Sequence, residues 1–372
     1  MTEKTLSFVA TCTPGLEKIC LKELEKKFGI KARVLHMGRL KFDAEKERIP
    51  ELNYRTKTLH RIILLLAEGE AFTLDEIYKI AKDIDYTEFI LPTQSFAVKT
   101  KRFGEHAFTS MEISAVIGQA VIDSYQQSTG KRLKVNLSNP DIRILAELYE
   151  NKLWIGIDTT GDSLHKRWYR KHTFITSLRS TIAHAMVMLS ELSESSSFLD
   201  PMCGTGMIPI EAFHYLAETP NLKRTFAFER FPWLSKEIFE KVKQKFLQKN
   251  LDAKIFGSDI NKKVVLLAKE NAREAFAKVY FFIADACKTP IKAEIICTDL
   301  PYGIRLRKIN LKKLYAKFFT NLEKSEACRK VVIITAEKSF RLIPKLKMFN
   351  LAKVLRIIYG DLNAKIAVLE RV

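Results

Sequence analysis

Some stretches of this 372-residue chain alternate apolar and polar positions with a period of two, others with a helical period, and the order of the two patterns divides it into successive units. Leu6 to Thr11 reads as a strand, and Pro14-Gly15 then opens a helix whose apolar residues Leu16, Ile19, Cys20 and Leu24 share one face. Short strands are predicted around Arg33 to Leu35 and Arg39 to Phe42, then helices near Ile49 to Thr58 and Leu74 to Ile84. This first unit is α+β. From Ser95 a second unit of the same kind follows: strand Ser95 to Thr100, helix Ser110 to Gln127 closed by Gly130, and strands Lys134 to Leu137, Ile142 to Tyr149 and Lys152 to Asp158.

Gly161 to Arg167 is polar and basic, reads as a connection, and marks the domain boundary. Beyond it, helix Ser177 to Leu192 leads into strands Ser197 to Asp200, Lys254 to Asp259, Val279 to Ala284, Ile295 to Asp299 and Val331 to Ala336, alternating with helices. Such alternation predicts a mainly parallel sheet. The tail, Leu351 to Tyr359 and Ala364 to Glu370 around Gly360 to Asn363, predicts an antiparallel hairpin closing that sheet. No internal repeat interrupts the order. The apolar stripes of the helices at Ser110 and Ser177 read as core.

Composition adds a bias toward one kind of partner. Lys and Arg outnumber Asp and Glu by 62 to 43, a net charge of +19, which favours a polyanion bound through phosphate contacts; a solvated Lys-rich surface explains the same charge without a partner. No run of about 18 apolar residues suggests a membrane span, and Met1 to Lys18 lacks the pattern of a secretory signal, so the expected location is cytoplasmic. The six cysteines form no CxxC pair and none has a histidine at ligand spacing, so neither disulfides nor a metal is predicted.

Candidate chemistry sits where the predicted parallel strands end. Ser197 to Asp200 empties into Pro201-Met202-Cys203-Gly204-Thr205-Gly206 before a helix near Ile208, and glycines in such a turn let backbone approach a ligand. Asp259 ends a second strand, where a doubly wound sheet offers an acid to a ribose diol; Asp285 ends a third and could accept from an adenine amine. Either acid could equally cap the following helix. The most specific stretch is Ile295 to Gly303, an apolar strand running into Asp299-Leu300-Pro301-Tyr302. It resembles the Asn/Asp-Pro-Pro-Tyr motif of amino-group methyltransferases, with Asp299 for Asn and Leu300 for the first Pro. An exocyclic amine conjugated with its ring is a poor nucleophile; a carboxylate accepting its hydrogen bonds localises the lone pair, and Tyr302 would stack on the extruded base.

With these motifs in order, the chain resembles a known family over nearly its whole length: class I RNA methyltransferases with an N-terminal THUMP domain that form N2-methylguanosine in tRNA or ribosomal RNA. Asp200 to Ala212 looks like the family's cofactor loop, Thr298 to Gly303 like its catalytic motif, and Phe228 to Trp233 like a segment inserted in these enzymes. Phe96 to Phe108, Glu112-Ile113, Asn139-Pro140-Asp141 and Ile155 to Asp158 resemble the THUMP module. Leu164 to Arg170 looks like the basic connector, with Trp168 where the family commonly has glycine. The resemblance implies an α/β fold: a ferredoxin-like domain at 1–60 with part of the following helices, a THUMP RNA-binding domain at 61–160, a basic linker at 161–180, and a Rossmann-like methyltransferase domain with a mainly parallel seven-stranded sheet at 181–372.

It further implies S-adenosylmethionine as cofactor. Asp200, Cys203, Gly204, Thr205 and Gly206 would line its methionine side, Asp259 with Ile260 the ribose, and Asp285 with Ala286 the adenine. Asp299 would touch both cofactor and base, and Leu300, Pro301 and Tyr302 would complete the catalytic motif. The implied partner is structured RNA, with tRNA held by its acceptor region and the protein a monomer without membrane or metal. Lys99, Lys101, Arg102, Lys131, Arg132, Lys166, Arg167 and Arg170 are the candidate phosphate contacts, with His106, Lys134, Lys171 and Arg179 nearby in sequence. Competing readings are guanine-N2 methylation of 23S ribosomal RNA, N6-adenine methylation of DNA, and a non-catalytic RNA-binding protein with a vestigial site.

Overall fold

The computed structural model describes residues 5–172, 178–302, 310–360 and 362–372. Ser177, Gly303 and Asp361, used in the sequence reading, lie outside them. In the front half the elements are β1 (Thr5–Cys12), α1 (Glu17–Phe28), β2 (Ala32–His36), β3 (Arg39–Glu45), α2 (Ile49–Arg55), β4 (Leu59–Glu70), α3 (Leu74–Lys82), β5 (Ser95–Phe103), α4 (Ser110–Thr129), β6 (Lys134–Val135), β7 (Ile142–Tyr149) and β8 (Lys152–Asp158). Helices α3 and α4 start at capping boxes, Thr73 with Glu76 and Thr109 with Glu112, and Gly130 closes α4 in the left-handed conformation.

The two front units are not separate layers. All eight strands form one sheet in the order β2-β3-β1-β4-β8-β7-β5-β6. The joint is β4, which pairs β1 from Leu59 to Leu64 and β8 from Ile63 to Glu70, straddling the expected boundary at residue 60. Sequence reasoning passed over β4, because Leu59-His60-Arg61-Ile62-Ile63-Leu64-Leu65-Leu66-Ala67 is nearly continuous in apolar residues and gives no clean period of two. One face of the sheet packs on α1 to α4. The other curls on itself: Arg39 of β3 forms an ion pair with Glu147 of β7, and His36 of β2 lies 3.0 Å from the same carboxylate and stacks on Tyr149 at 4.3 Å. That closure buries Val9, Ile63 and Trp154 in a small second core.

The back half comprises α5 (Ser180–Ser190), β9 (Phe198–Asp200), α6 (Met207–Leu216), α7 (Lys236–Lys245), β10 (Ile255–Asp259), α8 (Lys262–Glu274), β11 (Tyr280–Ile283), β12 (Ile295–Asp299), α9 (Leu311–Glu323), β13 (Lys330–Ala336), α10 (Glu337–Phe340), β14 (Phe349–Tyr359) and β15 (Leu362–Arg371). Its seven-stranded sheet runs β11-β10-β9-β12-β13-β15-β14, with β15 antiparallel to both neighbours. The order reverses between β9 and β12, the switch point where such sheets open a ligand crevice. The halves also meet at the sheet edge: Pro14 carbonyl accepts from Ile358 N at 3.1 Å, and Gly15 has a φ of +94° with its absent Cβ 1.9 Å from Arg356 O, so no other residue fits there.

Residues 161–172, expected as a polar linker, are a packed wedge instead. Leu164 and Tyr169 are fully buried, and Arg167 is 5% exposed. Arg167 donates through Nε to Glu211 of α6 at 2.8 Å, through Nη1 to Leu164 O at 2.7 Å and through Nη2 to Lys57 O at 2.9 Å. Tyr169 Oη donates to Glu211 at 2.6 Å, and His184 of α5 completes the carboxylate's partners at 2.9 Å. Lys57 in turn donates to Pro220 O and Asn221 Oδ1, and Asn221 donates to Asn53 O and Thr56 O. Trp168, at the position where glycine is common, packs on His214 at 5.5 Å and donates to Glu274 O at 3.2 Å. Among the described residues no helix is long and apolar enough to cross a membrane.

Candidate active site

Parallel pairing brings the strand ends into one line: Gly257 lies opposite Asp200, Ile283 opposite Asp259, and Ile296 opposite Leu199. Asp200, Asp259 and Asp299, together with Asp285 just past β11, therefore gather at the carboxyl edge of the sheet beside the switch point. The turn after β9 is pinned to its neighbours. Cys203 N donates to Ser258 O at 2.8 Å, Gly204 N to Asp259 Oδ2 at 3.2 Å, and Asn271 Nδ2 of α8 to Thr205 O at 3.0 Å. Gly206 has a φ of +86°, and a Cβ there would lie 2.8 Å from the Phe281 ring. Gly204 also has positive φ but faces open space, so backbone is exposed to an approaching ligand.

Asp200 is buried and accepts from Thr298 Oγ1 at 2.6 Å and Met202 N at 3.1 Å. Burial pushes its carboxyl up to about 7; the two hydrogen bonds oppose that, and nearby Asp259 adds to it. Asp299 is held well above the usual carboxylate range by burial and by Asp200. Its Oδ1 is buried and has no hydrogen-bond partner among the described residues. A buried acceptor without a donor is costly in a stable core and marks a place where a ligand's donor completes the structure.

The remaining motif residues divide by what they touch. Leu300 is fully buried in the core under α9, so its side chain cannot meet a substrate and it can act there only through backbone. Pro301 carbonyl accepts from Tyr315 Oη at 2.7 Å, and the same hydroxyl pairs with Thr335 at 2.8 Å, which fixes the turn. Pro301 and Tyr302 keep exposed surface, as do Gly204, Asp259, Ile260, Asp285 and Ala286. Asp259 Oδ1 accepts from Asn261 N at 2.9 Å, while the α8 cap is Asn261 itself. Asp285 does close a turn, accepting from Cys287 N at 2.9 Å with Lys288 at 3.6 Å.

The candidate RNA contacts do not form one patch. Lys99 and Lys101 are exposed on the face of β5 away from α4, whereas Arg102 turns to the other side and bonds Gly104 O and His106. Lys131 and Arg132 are exposed beside β6, whose Lys134 pairs with Ser95, about 20 Å along β5 from Lys101. Lys166 is exposed next to Asp162, and Arg170 is half-buried. Arg167 is a correction: enclosed by Glu211 and three backbone or amide oxygens, it cannot reach a phosphate.

Residues 71–158 match the THUMP domain family, residues 7–63 the RlmL ferredoxin-like domain, and residues 167–365, more than half the chain, the RMKL-like methyltransferase domain. A tRNA (guanine(6)-N2)-methyltransferase of Methanocaldococcus jannaschii is 36% identical over 97% of this chain and 99% of its own. The chain belongs to the THUMP-containing RMKL-like methyltransferases. A second relative of the same description, from Archaeoglobus fulgidus, is 39% identical over 89% of this chain and 83% of its own. The crystal structure of a protein from Clostridium difficile 630, described as a possible methylase, superposes with a TM-score of 0.91 over 99% of both chains at 26% identity.

Several groups of this methyltransferase escaped the sequence reading. Thr298 stood inside the quoted motif without a role, although a hydroxyl one residue before a strand-end acid can reach the neighbouring strand. Tyr315 and Asn271 gave no local signal, because each meets its partner only after the sheet closes. Glu211 did carry one: an acid within the otherwise apolar run Met207 to Phe213 must find a buried partner, and it found Arg167, Tyr169 and His184.

Proposed function

We propose that this methyltransferase transfers a methyl group from S-adenosylmethionine to the exocyclic N2 amine of a guanosine in tRNA, acting as a monomer that holds the acceptor region of the RNA through its front half. The observation that carries the reading is the buried Asp299 Oδ1, without a hydrogen-bond partner among the described residues, near the glycine turn after β9. The cofactor supplies a methyl group activated by a sulfonium. Asp200, Cys203, Gly204, Thr205 and Gly206 would hold its methionine end, Asp259 and Ile260 the ribose, Asp285 and Ala286 the adenine. The chemistry fits, since an edge rich in carboxylates suits a cationic ligand with amino and hydroxyl donors.

Asp299 accepts the amine's hydrogen bonds, so the N2 lone pair is withdrawn from the ring and aimed at the methyl carbon. Methylation would leave N2 cationic, with a proton to shed. A carboxylate whose proton affinity burial has raised is suited to take it. Tyr302 stacks on the extruded base, and the turn fixed by Pro301 and Tyr315 keeps the ring in line. The tRNA guanine-N2 relatives that match along most of their length support tRNA and N2 over ribosomal RNA and adenine N6.

The test is methyl transfer from labelled cofactor to unmodified tRNA, ribosomal RNA and DNA in parallel, with nucleoside mass analysis. N2-methylguanosine in tRNA is the expected product. Its appearance in ribosomal RNA alone moves the substrate, N6-methyladenine overturns the base, and no transfer to any of them overturns the enzyme reading.

A further inference from the structure

The glycine turn and the Asp-Leu-Pro-Tyr motif hang from different sides of the sheet. Asp200 ends β9, which pairs with β10 up to Gly257, and the turn beyond it bonds to that side: Cys203 N donates to Ser258 O and Gly204 N to Asp259. Asp299 ends β12, which pairs with β13 along its whole length, and the motif beyond it bonds there. Leu300 N donates to Ile334 O at 2.9 Å, and Tyr315 Oη to Pro301 O. Between the two sides β9 and β12 pair directly through Ile295 with Phe198 and Ile296 with Leu199, and then the crevice opens. Past that point the bond from Thr298 Oγ1 to Asp200 Oδ1, 2.6 Å long, spans the opening.

Packing alone does not call for a hydroxyl at this place. Thr298 is fully buried, as are Ile295, Ile296 and Cys297 before it on β12. Valine has nearly the same shape, and a buried hydroxyl costs stability unless it is hydrogen-bonded. The other donor to Asp200, Met202 N, reaches the same Oδ1 at 3.1 Å, and among the described residues no donor reaches Oδ2. The titratable groups around Asp200 among those residues are all acids: Asp259 on β10, Asp299 and Cys297 on β12, and Cys203 in the turn. We propose that Thr298 is a positioning residue for methyl transfer: its hydroxyl fixes one oxygen of Asp200 so that the other meets the cofactor, and it ties the strand end carrying Asp299 to the cofactor turn. The inference rests on the reading of Asp200 as a cofactor contact and names what orients that carboxylate.

The test compares Thr298→Val, which removes the donor and keeps the shape, with Thr298→Ser, which keeps the donor and removes a methyl. Calorimetric titration of the full chain with S-adenosylmethionine should give an affinity about tenfold weaker at pH 7 in the valine variant, and within about threefold of wild type in the serine variant. The hydroxyl supplies one of the two bonds that oppose the effect of burial on Asp200. The pH below which cofactor affinity declines should therefore rise by about one unit with valine and stay in place with serine. At saturating cofactor, kcat should fall about tenfold with valine while the KM for RNA is unchanged. Should Thr298→Val fold poorly, Thr298→Cys replaces the hydroxyl by a weaker donor and should show the same losses in smaller measure. Wild-type affinity and pH profile in the valine variant overturn the proposal, as does a serine variant impaired as much as the valine one, which would mark a packing role. A wild-type chain that binds no S-adenosylmethionine instead overturns the cofactor assignment on which both readings stand.

Discussion

Two of the buried clusters of ionisable groups in this molecule are built on opposite rules. At the wedge between the halves the central carboxylate is fully partnered: Glu211 meets Arg167, Tyr169 and His184, and although burial alone would raise its carboxyl, Arg167 and His184 outweigh that and hold it well below the usual range. At the strand ends Asp200 and Asp299 lie together with hydroxyl and amide donors but no cation among the described residues that bond them, and both carboxyls are pushed up. Complete pairing belongs to architecture, because a lone charge there would only cost stability. Incomplete pairing belongs to chemistry, because the missing partners are those a ligand brings.

The largest effect should come from the unpaired site. Asp299→Ala is expected to lower kcat by at least about a hundredfold to a thousandfold while calorimetry still detects cofactor binding. Asp299→Asn keeps an acceptor but loses the base, so it should retain more activity and lose the acidic limb of the rate profile, which in the wild type lies well above the ordinary carboxylate range. Full activity in the alanine variant would erase the contrast between the clusters.

Breaking the paired cluster should act on stability. Arg167→Met leaves Glu211 charged and buried without its main partner and is expected to cost about 3–5 kcal/mol in urea unfolding. Unchanged stability would mean the wedge is not the joint its geometry describes. The result also bears on truncation: removing residues 1–160 strips Lys57 and Asn53 from Arg167 and Asn221, so lost RNA affinity in that fragment would not by itself assign RNA binding to the front half.

Asp200→Asn sharpens the comparison through pH. The folded pKa of Asp200, about 7, lies above its unfolded value, so ionisation penalises the fold increasingly as pH rises between about 4 and 7. Asparagine keeps the acceptor for Thr298 and Met202 N and removes that penalty. It should therefore stabilise the fold at and above pH 7 by at most about 4 kcal/mol, give nothing near pH 4, and weaken cofactor binding. Glu211 has the opposite sign, contributing stability above the ordinary carboxylate pKa and losing it on acidification. The smallest effects belong to the surface: Lys101→Ala should weaken RNA binding a few-fold and lower the salt slope by about one, with melting unchanged.

The strand-end acids, the glycine turn and the Asp-Leu-Pro-Tyr motif could be read along the chain, since each is a run of neighbours with its own local pattern. The parallel sheet, the closing hairpin and the Gly130 end of α4 were legible for the same reason. Arg167 was misread, because a basic residue in a polar run has no local mark of burial; only Glu211, in a different helix, draws it inward. Strand β4 was missed for the complementary reason: buried by partners on both sides, it lost the alternation that marks a half-exposed strand.

The sequence by itself determined most of the elements, which residues end the parallel strands, and hence the chemistry those ends can perform, because propensity, capping and periodicity act between residues a few positions apart. Tertiary structure decided the rest. It joined two front units through one shared strand, turned a basic connector into a buried wedge, set Thr298 on Asp200, and left Asp299 Oδ1 without a donor among the described residues. Each of those outcomes depends on desolvation and on partners tens of residues away, and burial is a property of the assembled chain rather than of any stretch of it.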